Sequence, residues 1–150
     1  MKSDSLKQFN QTQAGVFHTT HWGQSIPEDF VKDLVREAEQ NPNRKARLCL
    51  HPSPEDITQV TFIALVAPYR DQFHKHPNKP EIMIPILGKA ELTIINAESG
   101  TEKNYILDSE SVVPASIESN LIHSLRVIST CFVFLEIGNG PFTTESTLYV

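Results

Sequence analysis

The sequence is poor in cysteine and has no excess of basic residues, and both shortages exclude classes of function. Cys49 and Cys131 are its two cysteines. They lie far apart in apolar, strand-like segments and form no CxxC pair, so we expect buried, reduced thiols rather than a redox motif or a cysteine-based zinc site. The net charge of −5 argues against a nucleic-acid partner, because affinity for the phosphate backbone comes from clustered Lys and Arg.

Long apolar runs and the common catalytic motifs are also missing. No stretch approaches about 18 consecutive apolar residues, and the N-terminal MKSDSLKQFN has no apolar signal-like region. The sequence contains no GxSxG elbow, no phosphate-binding P-loop and no dinucleotide-binding glycine fingerprint. These absences predict a soluble, cytoplasmic protein that has no membrane partner and uses none of those three chemistries.

The length and the composition are sufficient for one domain. At 150 residues, of which 39% are hydrophobic, the chain is able to bury a core without disulfide or metal staples. Residues 1–24 are rich in Gln, Thr, Ser and Asn and are predicted to form an arm on the body of the domain. We therefore expect an N-terminal arm and helix over residues 1–43, packed on a β barrel over residues 44–150.

One helix is predicted after the arm. Ser25 as N-cap and Glu28 three residues later have the spacing of a capping box, and Pro27 suits the first turn. Asn41, followed by proline, ends the pattern. The apolar residues of this helix recur at helical spacing and predict one buried stripe, formed by Phe30, Val31, Leu34, Val35 and Ala38.

From residue 47 onward the pattern changes to short β-type runs separated by Pro, Gly, Asn, Asp or Ser, which predicts an all-β sandwich or barrel. The runs are RLCLH, ITQVTFIALVA, EIMIPIL, AELTIIN, KNYIL, SVVPA, LIHSLRVI and CFVFLEI. Pro85 lacks a backbone donor and predicts a bulge or an edge. EIMIPIL and CFVFLEI have few residues suited to water, so both faces of these strands are expected to be covered, as in a homodimer.

The stretch HKHPNKPE, residues 74–81, places metal-binding side chains together. On an extended chain, His74 and His76 point to the same face, and Glu81 opens an apolar strand where a carboxylate needs a partner. Imidazole and carboxylate donors suit Fe(II), Mn(II), Ni(II), Cu(II) or Zn(II) better than Ca(II) or Mg(II). Among six histidines, an HxH pair is also able to arise by chance, so polar residues beside a turn are the alternative.

The spacing that follows this pair resembles the first motif of the cupin superfamily, HxH-x(3,4)-E-x(6)-G. It runs from His74 through Glu81 to Gly88, with Pro68 at the position of the leading glycine. In the second cupin motif, PxGxxH, the histidine corresponds to His123, while Asn120 stands at the glycine position. Asn is the non-glycine residue that best tolerates the left-handed conformation of such a turn.

RLCLHPSPED, the HPxKxE continuation and the late EIGNGPF resemble the WbuC-type cupin fold metalloproteins, over residues 44–149. That resemblance implies a cupin (RmlC-like jelly-roll) double-sheet barrel and metal ligands at His74, His76, Glu81 and His123. It also implies that Arg47, His51, Lys79 and Glu136 line a substrate pocket. The alternatives are a solvated lysine at position 79, an edge charge or arginine partner at position 136, and a histidine that simply ends a strand at position 51.

Three functions fit this resemblance. The first is an enzyme with a divalent transition metal (Fe, Mn, Ni or Zn) that acts on a small polar metabolite, such as a sugar derivative of polysaccharide biosynthesis. The second is a metal-free isomerase or epimerase that uses His and Tyr as base and acid. The third is a binding or regulatory module without turnover. The sequence ranks the metal enzyme first and the binding module second.

Overall fold

A computed structural model describes residues 4–150, which form one α-helix, ten β-strands and two short 3₁₀ helices. Helix α1 spans Phe30–Gln40. The 3₁₀ helices are Asp4–Leu6 and Thr144–Ser146. The strands are β1 (Asn10–Gln13), β2 (Val16–His18), β3 (Lys45–Cys49), β4 (Thr58–Val66), β5 (His74–Lys75), β6 (Glu81–Ile95), β7 (Glu102–Asp108), β8 (Ala115–Ile117), β9 (Ile122–Asn139) and β10 (Leu148–Tyr149).

Helix α1 begins later than the sequence predicted. Its N-cap is Asp29, which makes no side-chain capping hydrogen bond, so the prediction of a capping box formed by Ser25 and Glu28 is wrong. The residue before a proline disfavours the helical conformation. The chain therefore enters through an extended segment and a turn, in which the Phe30 amide donates to the Pro27 carbonyl (3.1 Å).

The apolar stripe of α1 and its end are confirmed. Leu34 and Ala38 are fully buried, and the helix ends immediately before its C-cap, Asn41. The other three residues of the stripe pack against the same core cluster and are Phe30, Val31 and Val35. The helix thus covers one face of the sheet with the residues that the 3.6-residue period selects.

The strands form one ten-stranded sheet that folds over itself. Its order is β1-β2-β3-β4-β9-β5-β10, and β6 pairs with β7, β8 and β9. The strands β6 and β9 join runs that the sequence separated, because a bulge lets a strand continue through a bend. The register of β6 shifts between Pro85 and Leu87 and again between Gly88 and Ala90, which confirms the irregularity predicted at Pro85.

The prediction of a strand at SVVPA, residues 111–115, is wrong over most of its length. The carbonyl of Asp108 accepts hydrogen bonds from the amides of Ser111 (3.1 Å) and Val112 (3.2 Å). The Asp108 side chain also accepts one from the Glu110 amide (3.0 Å). These bonds close a turn, as aspartate favours, so strand β8 begins only at Ala115.

Two hydrophobic cores lie on opposite faces of the sheet, as the period-2 alternation of a strand requires. In β3, Ala46 and Leu48 belong to the core under α1, whereas Lys45, Arg47 and Cys49 line a cavity inside the barrel. The second core fills the rest of the barrel interior and includes Leu92, Leu125 and Phe132. The barrel therefore has one packed region and one open region, and the open region holds the polar side chains.

Strands β1 and β2 lie in the segment that the sequence assigned to an arm, and β2 pairs in parallel with β3. The division between residues 43 and 44 stays a prediction. None of the helices within residues 4–150 has both the length and the apolar character needed to cross a membrane.

Candidate metal centre

The structure brings three of the predicted metal ligands together at the mouth of the barrel. His74 lies in β5 and pairs directly with His123 of β9, and His76 follows two residues after His74. One ligand nitrogen from each of the three rings lies within 4.8 Å of the other two. The HxH spacing and a strand pairing over a long sequence distance thus place three imidazoles around one point.

A backbone carbonyl fixes the tautomer of each ring. Nδ1 of His74 donates to the Gln72 carbonyl (2.8 Å), and Nδ1 of His123 donates to the Leu121 carbonyl (2.9 Å). Nδ1 of His76 donates to a third carbonyl, that of Ser146 (2.8 Å). Since a carbonyl only accepts, each Nδ1 carries the proton in the neutral ring and each Nε2 keeps its lone pair for a ligand.

Glu81 is the carboxylate of this cluster and is 3% exposed. Its Oε1 lies 2.9 Å from Nε2 of His76 and 3.7 Å from Nζ of Lys79. Its Oε2 lies 3.4 Å from Nε2 of His123. This contact is not a hydrogen bond, and neither atom has another hydrogen-bond partner. The carboxylate therefore contacts two of the three imidazoles.

The environment keeps Glu81 ionised. Although burial opposes the change, His123, His76 and Lys79 hold the pKa of the Glu81 carboxyl well below its usual range. Burial by itself lowers the pKa of His123, but the neighbouring Glu81 outweighs burial and raises this pKa. Burial lowers the pKa of His74, so this ring is neutral over a wider pH range and able to act as a ligand.

The residues fit a divalent transition metal ion. Oε2 of Glu81 and Nε2 of His123 are buried atoms without a hydrogen-bond partner. Buried polar atoms of this kind are rare in native proteins and call for an unseen partner. In the neutral ring of His123 both atoms are acceptors, and a cation satisfies two facing acceptors at once. Nitrogen and carboxylate donors favour Fe, Mn, Ni or Zn.

A cavity of about 1100 Å³ adjoins the three histidines. Lys45, Arg47 and Glu136 line it, and none of them has an ion pair within 4.0 Å among the described residues. Burial, followed by the neighbouring Arg47, lowers the pKa of Lys45 to about 8. Burial, followed by Glu81, raises the pKa of Glu136. The cavity thus exposes charges of both signs that are not neutralised by direct contact.

The four residues predicted to line a pocket all lie around this cavity, where Arg47, His51, Lys79 and Glu136 contribute to its wall. Lys79 is not a solvated lysine, because its side chain is 13% exposed and its Nζ contacts Glu81. Nε of Arg47 is buried without a hydrogen-bond partner. Nδ1 of His51 lies 3.1 Å from the amide nitrogen of Val60 and 3.2 Å from its carbonyl oxygen.

Sequence reasoning missed two polar residues of the same cavity, His18 and Cys49. Together with His51 they form a second group whose ligand atoms all lie within 4.8 Å of one another. The available signal was the spacing CxH at Cys49 and His51, which on a strand puts both side chains on one face, as the HxH pair does. His18 joins them through the parallel pairing of β2 with β3, which no local pattern reveals.

The fold is a cupin barrel with one added helix. The capsular polysaccharide assembling protein CapF of Staphylococcus aureus is similar to it, with a TM-score of 0.65 and 16% identity over 82% of this chain and 40% of CapF. An oxalate decarboxylase of Lactobacillus farciminis, solved as a formate complex, is similar with a TM-score of 0.55 and 16% identity over 63% of this chain and 27% of that one. The oxalate decarboxylase of Bacillus subtilis, described with Mn(II) centres, is similar with a TM-score of 0.55 and 19% identity over 63% of this chain and 24% of that one.

Within this fold class the chain belongs to the family described as Domain of unknown function (DUF6016), which matches residues 26–107. The matched range contains helix α1, the HxH pair, Glu81 and Gly88. It ends before His123. No curated protein sequence matches the chain, and the chain spans less than half the length of the solved chains named above.

Proposed function

We propose that this protein is a metal-dependent cupin enzyme that acts on a small, polar, anionic metabolite. His74, His76, His123 and Glu81 hold one divalent transition metal ion, and the adjoining cavity binds the metabolite. The observation that carries the proposal is the convergence of three imidazoles, each with its proton held at Nδ1 by a backbone carbonyl, beside a buried and ionised carboxylate that contacts two of them.

The charges of the cavity support an anionic substrate. Arg47 and Lys45 come from alternate positions of β3 and lack direct carboxylate partners, so their donors are available to a carboxylate or phosphate group of a ligand. Glu136 offers a carboxyl that burial keeps protonated to higher pH than usual, and such a group is able to donate to a ligand hydroxyl or exchange a proton with it. A bound metal ion supplies Lewis-acid polarisation of a ligand oxygen.

A sugar derivative of polysaccharide biosynthesis is the substrate that we favour. The WbuC-type resemblance points to that context, and CapF is named as a capsular polysaccharide assembling protein. A hydroxylated, acidic sugar matches a cavity with two cations and a carboxyl whose pKa burial raises. The cavity volume of about 1100 Å³ is large enough for a sugar acid that carries no nucleotide, since small-ligand sites commonly span roughly 300–1,000 Å³.

The test is metal analysis of untagged protein purified without added metal. Wild type is compared with His76→Ala and Glu81→Ala, and His21→Ala serves as the matched control because His21 is exposed and lies outside both histidine groups. We expect loss of one metal equivalent in the first two variants and wild-type content in the control. The ion found then guides a screen of acidic sugars, by a ligand-induced rise in Tm and by turnover.

The outcomes separate the three candidate functions. Metal content that is unchanged in His76→Ala and Glu81→Ala contradicts the proposed ligands. Metal that is lost, together with ligand binding but no turnover of any bound sugar, favours a binding module. Turnover that survives chelation and both substitutions favours a metal-free isomerase or epimerase.

A further inference from the structure

The second cluster of ligand-type side chains lies in the same cavity, on other strands. His18 ends β2 and pairs in register with Cys49, which ends β3, and His51 lies two residues beyond Cys49. The three side chains are 6%, 6% and 3% exposed, and their donor atoms all lie within 4.8 Å of one another. All three also line the cavity, so their donor groups face a space that a ligand is able to enter.

Both imidazoles contact the backbone through Nδ1, and His18 does so in the way that metal-binding histidines usually do. Nδ1 of His18 donates to the carbonyl of His51 (3.1 Å), which leaves Nε2 of His18 with a free lone pair. Nδ1 of His51 lies within hydrogen-bond distance of both backbone groups of Val60. In the tautomer that donates to the Val60 carbonyl, Nε2 of His51 is free as well.

The cysteine completes a donor set that an ordinary core does not need. The thiol of Cys49 has one weak contact, from the hydroxyl of Thr61 at 3.9 Å. A buried cysteine alone is most often a small apolar residue. Here it is flanked by two histidines whose Nδ1 atoms are already bonded, and Glu136 follows Thr61 in the same cross-strand row. The row thus carries thiol, hydroxyl and carboxyl groups rather than apolar side chains.

We propose that His18, Cys49 and His51 form a second metal site, which takes Zn(II) or another thiophilic divalent ion. Two imidazoles and one thiolate are a borderline-soft set that suits Zn(II) and excludes Ca(II) and Mg(II). Three protein donors leave a tetrahedral ion one further position, which the cavity makes accessible to solvent or substrate. This site goes beyond the proposed function, because its ligands are separate from His74, His76, His123 and Glu81.

Cobalt(II) titration tests the site, since a Co(II)–thiolate bond absorbs in the near ultraviolet and a Co(II) site made of imidazole and carboxylate does not. The full chain is freed of metal with a chelator and titrated with Co(II). We expect about two equivalents bound, one of them with the charge-transfer band. His76→Ala should keep the band and lose the other equivalent. Cys49→Ser should lose the band and keep the other equivalent.

Cys131→Ser is the matched control, and it also keeps the test decisive if Cys49→Ser fails to fold. The chain has two cysteines, so a band that persists in Cys131→Ser belongs to Cys49 even without the other variant. A wild type that shows no band, or a band lost in Cys131→Ser, overturns the inference. A wild type that binds only the equivalent with the band contradicts the proposed function and leaves the second site standing, so the two failures are distinguishable.

Discussion

At the scale of single residues, the cavity holds two cations whose burial is costly. Lys45 and Arg47 occupy alternate positions of β3 on the cavity side, and their like charges repel each other in a poorly solvated space. The cause of the low pKa of Lys45, about 8, is burial first and Arg47 second. Such a pair is preorganised for an anion, which would relieve the repulsion that the free protein carries.

The pKa of Lys45 leads to a prediction about stability. Its folded pKa lies below its unfolded value of 10.5, so the unfolded chain binds more protons between about pH 8 and pH 10.5 and stability rises with pH there. We expect the free energy of unfolding of metal-free wild type, relative to Lys45→Met, to rise by about 2 kcal/mol from pH 7 to pH 10. Urea denaturation at several pH values measures this difference. A difference that stays flat over this range would contradict the shift.

At the scale of elements, strand β6 depends on a glycine. Gly88 has a φ of +81°, and a Cβ at this position would lie 2.0 Å from the carbonyl oxygen of Cys131. The bulge in β6 brings the two backbones this close. The glycine of the cupin-like spacing therefore has a steric role.

Gly88→Ala should lower the free energy of unfolding by about 3 kcal/mol, because it combines left-handed strain with overpacking against rigid backbone. Gly100→Ala is the matched control. Gly100 has a similar φ of +69° but nothing within 4 Å of a built Cβ, so it should cost only about 1 kcal/mol. Chemical denaturation of both variants gives the comparison. Equal losses would mean that the close approach to Cys131 relaxes without cost.

Helix α1 stabilises the barrel from the face opposite to the cavity. Leu34 is fully buried in the core under the helix, so Leu34→Ala should lower the free energy of unfolding by about 2–4 kcal/mol. Its metal content should equal that of wild type, since no metal-centre residue belongs to this core. Lys32→Ala, on the exposed side, should change neither quantity. Loss of metal in folded Leu34→Ala would show that the helix also supports the centre.

Some of these elements could be predicted from the sequence, and others could not because they depend on pairing between distant strands. Local periodicity predicted the stripe of α1. Motif spacing singled out Gly88 without giving its role, and it predicted the left-handed conformation of Asn120, whose φ is +68°. The joining of two runs into β9 depends on pairing with distant strands, which local pattern does not encode. The same holds for His18, whose place beside Cys49 depends on a parallel pairing between β2 and β3.

At the scale of the whole molecule, one outer face of the barrel is apolar and partly exposed. Ile82 of β6 is 43% exposed and pairs with Ile137 of β9, and Ile84 pairs with Leu135. These four side chains form a continuous apolar surface across two strands. A second copy of the chain is the partner that we predict for it, because a surface of this kind is able to pack on itself around a two-fold axis.

Ile82→Lys should convert the expected dimer to a monomer, since a charge at the centre of an apolar interface is costly to desolvate. Ile57→Lys is the control, because Ile57 is 76% exposed and lies outside the strands. Light scattering after gel filtration gives the mass of each variant. A monomeric wild type would refute the prediction. A dimeric Ile82→Lys would place the interface elsewhere.

The strand pairings of the metal centre also determine when it is able to form. His74 pairs with His123 of β9 and with Tyr149 of β10, and His76 is held by a carbonyl 70 residues further along the chain. Contacts over such distances form late in folding. During synthesis, the HxH pair, Glu81 and Cys49 therefore emerge from the ribosome well before their partners. We therefore expect the proposed metal ion to be bound by the finished barrel rather than by the nascent chain.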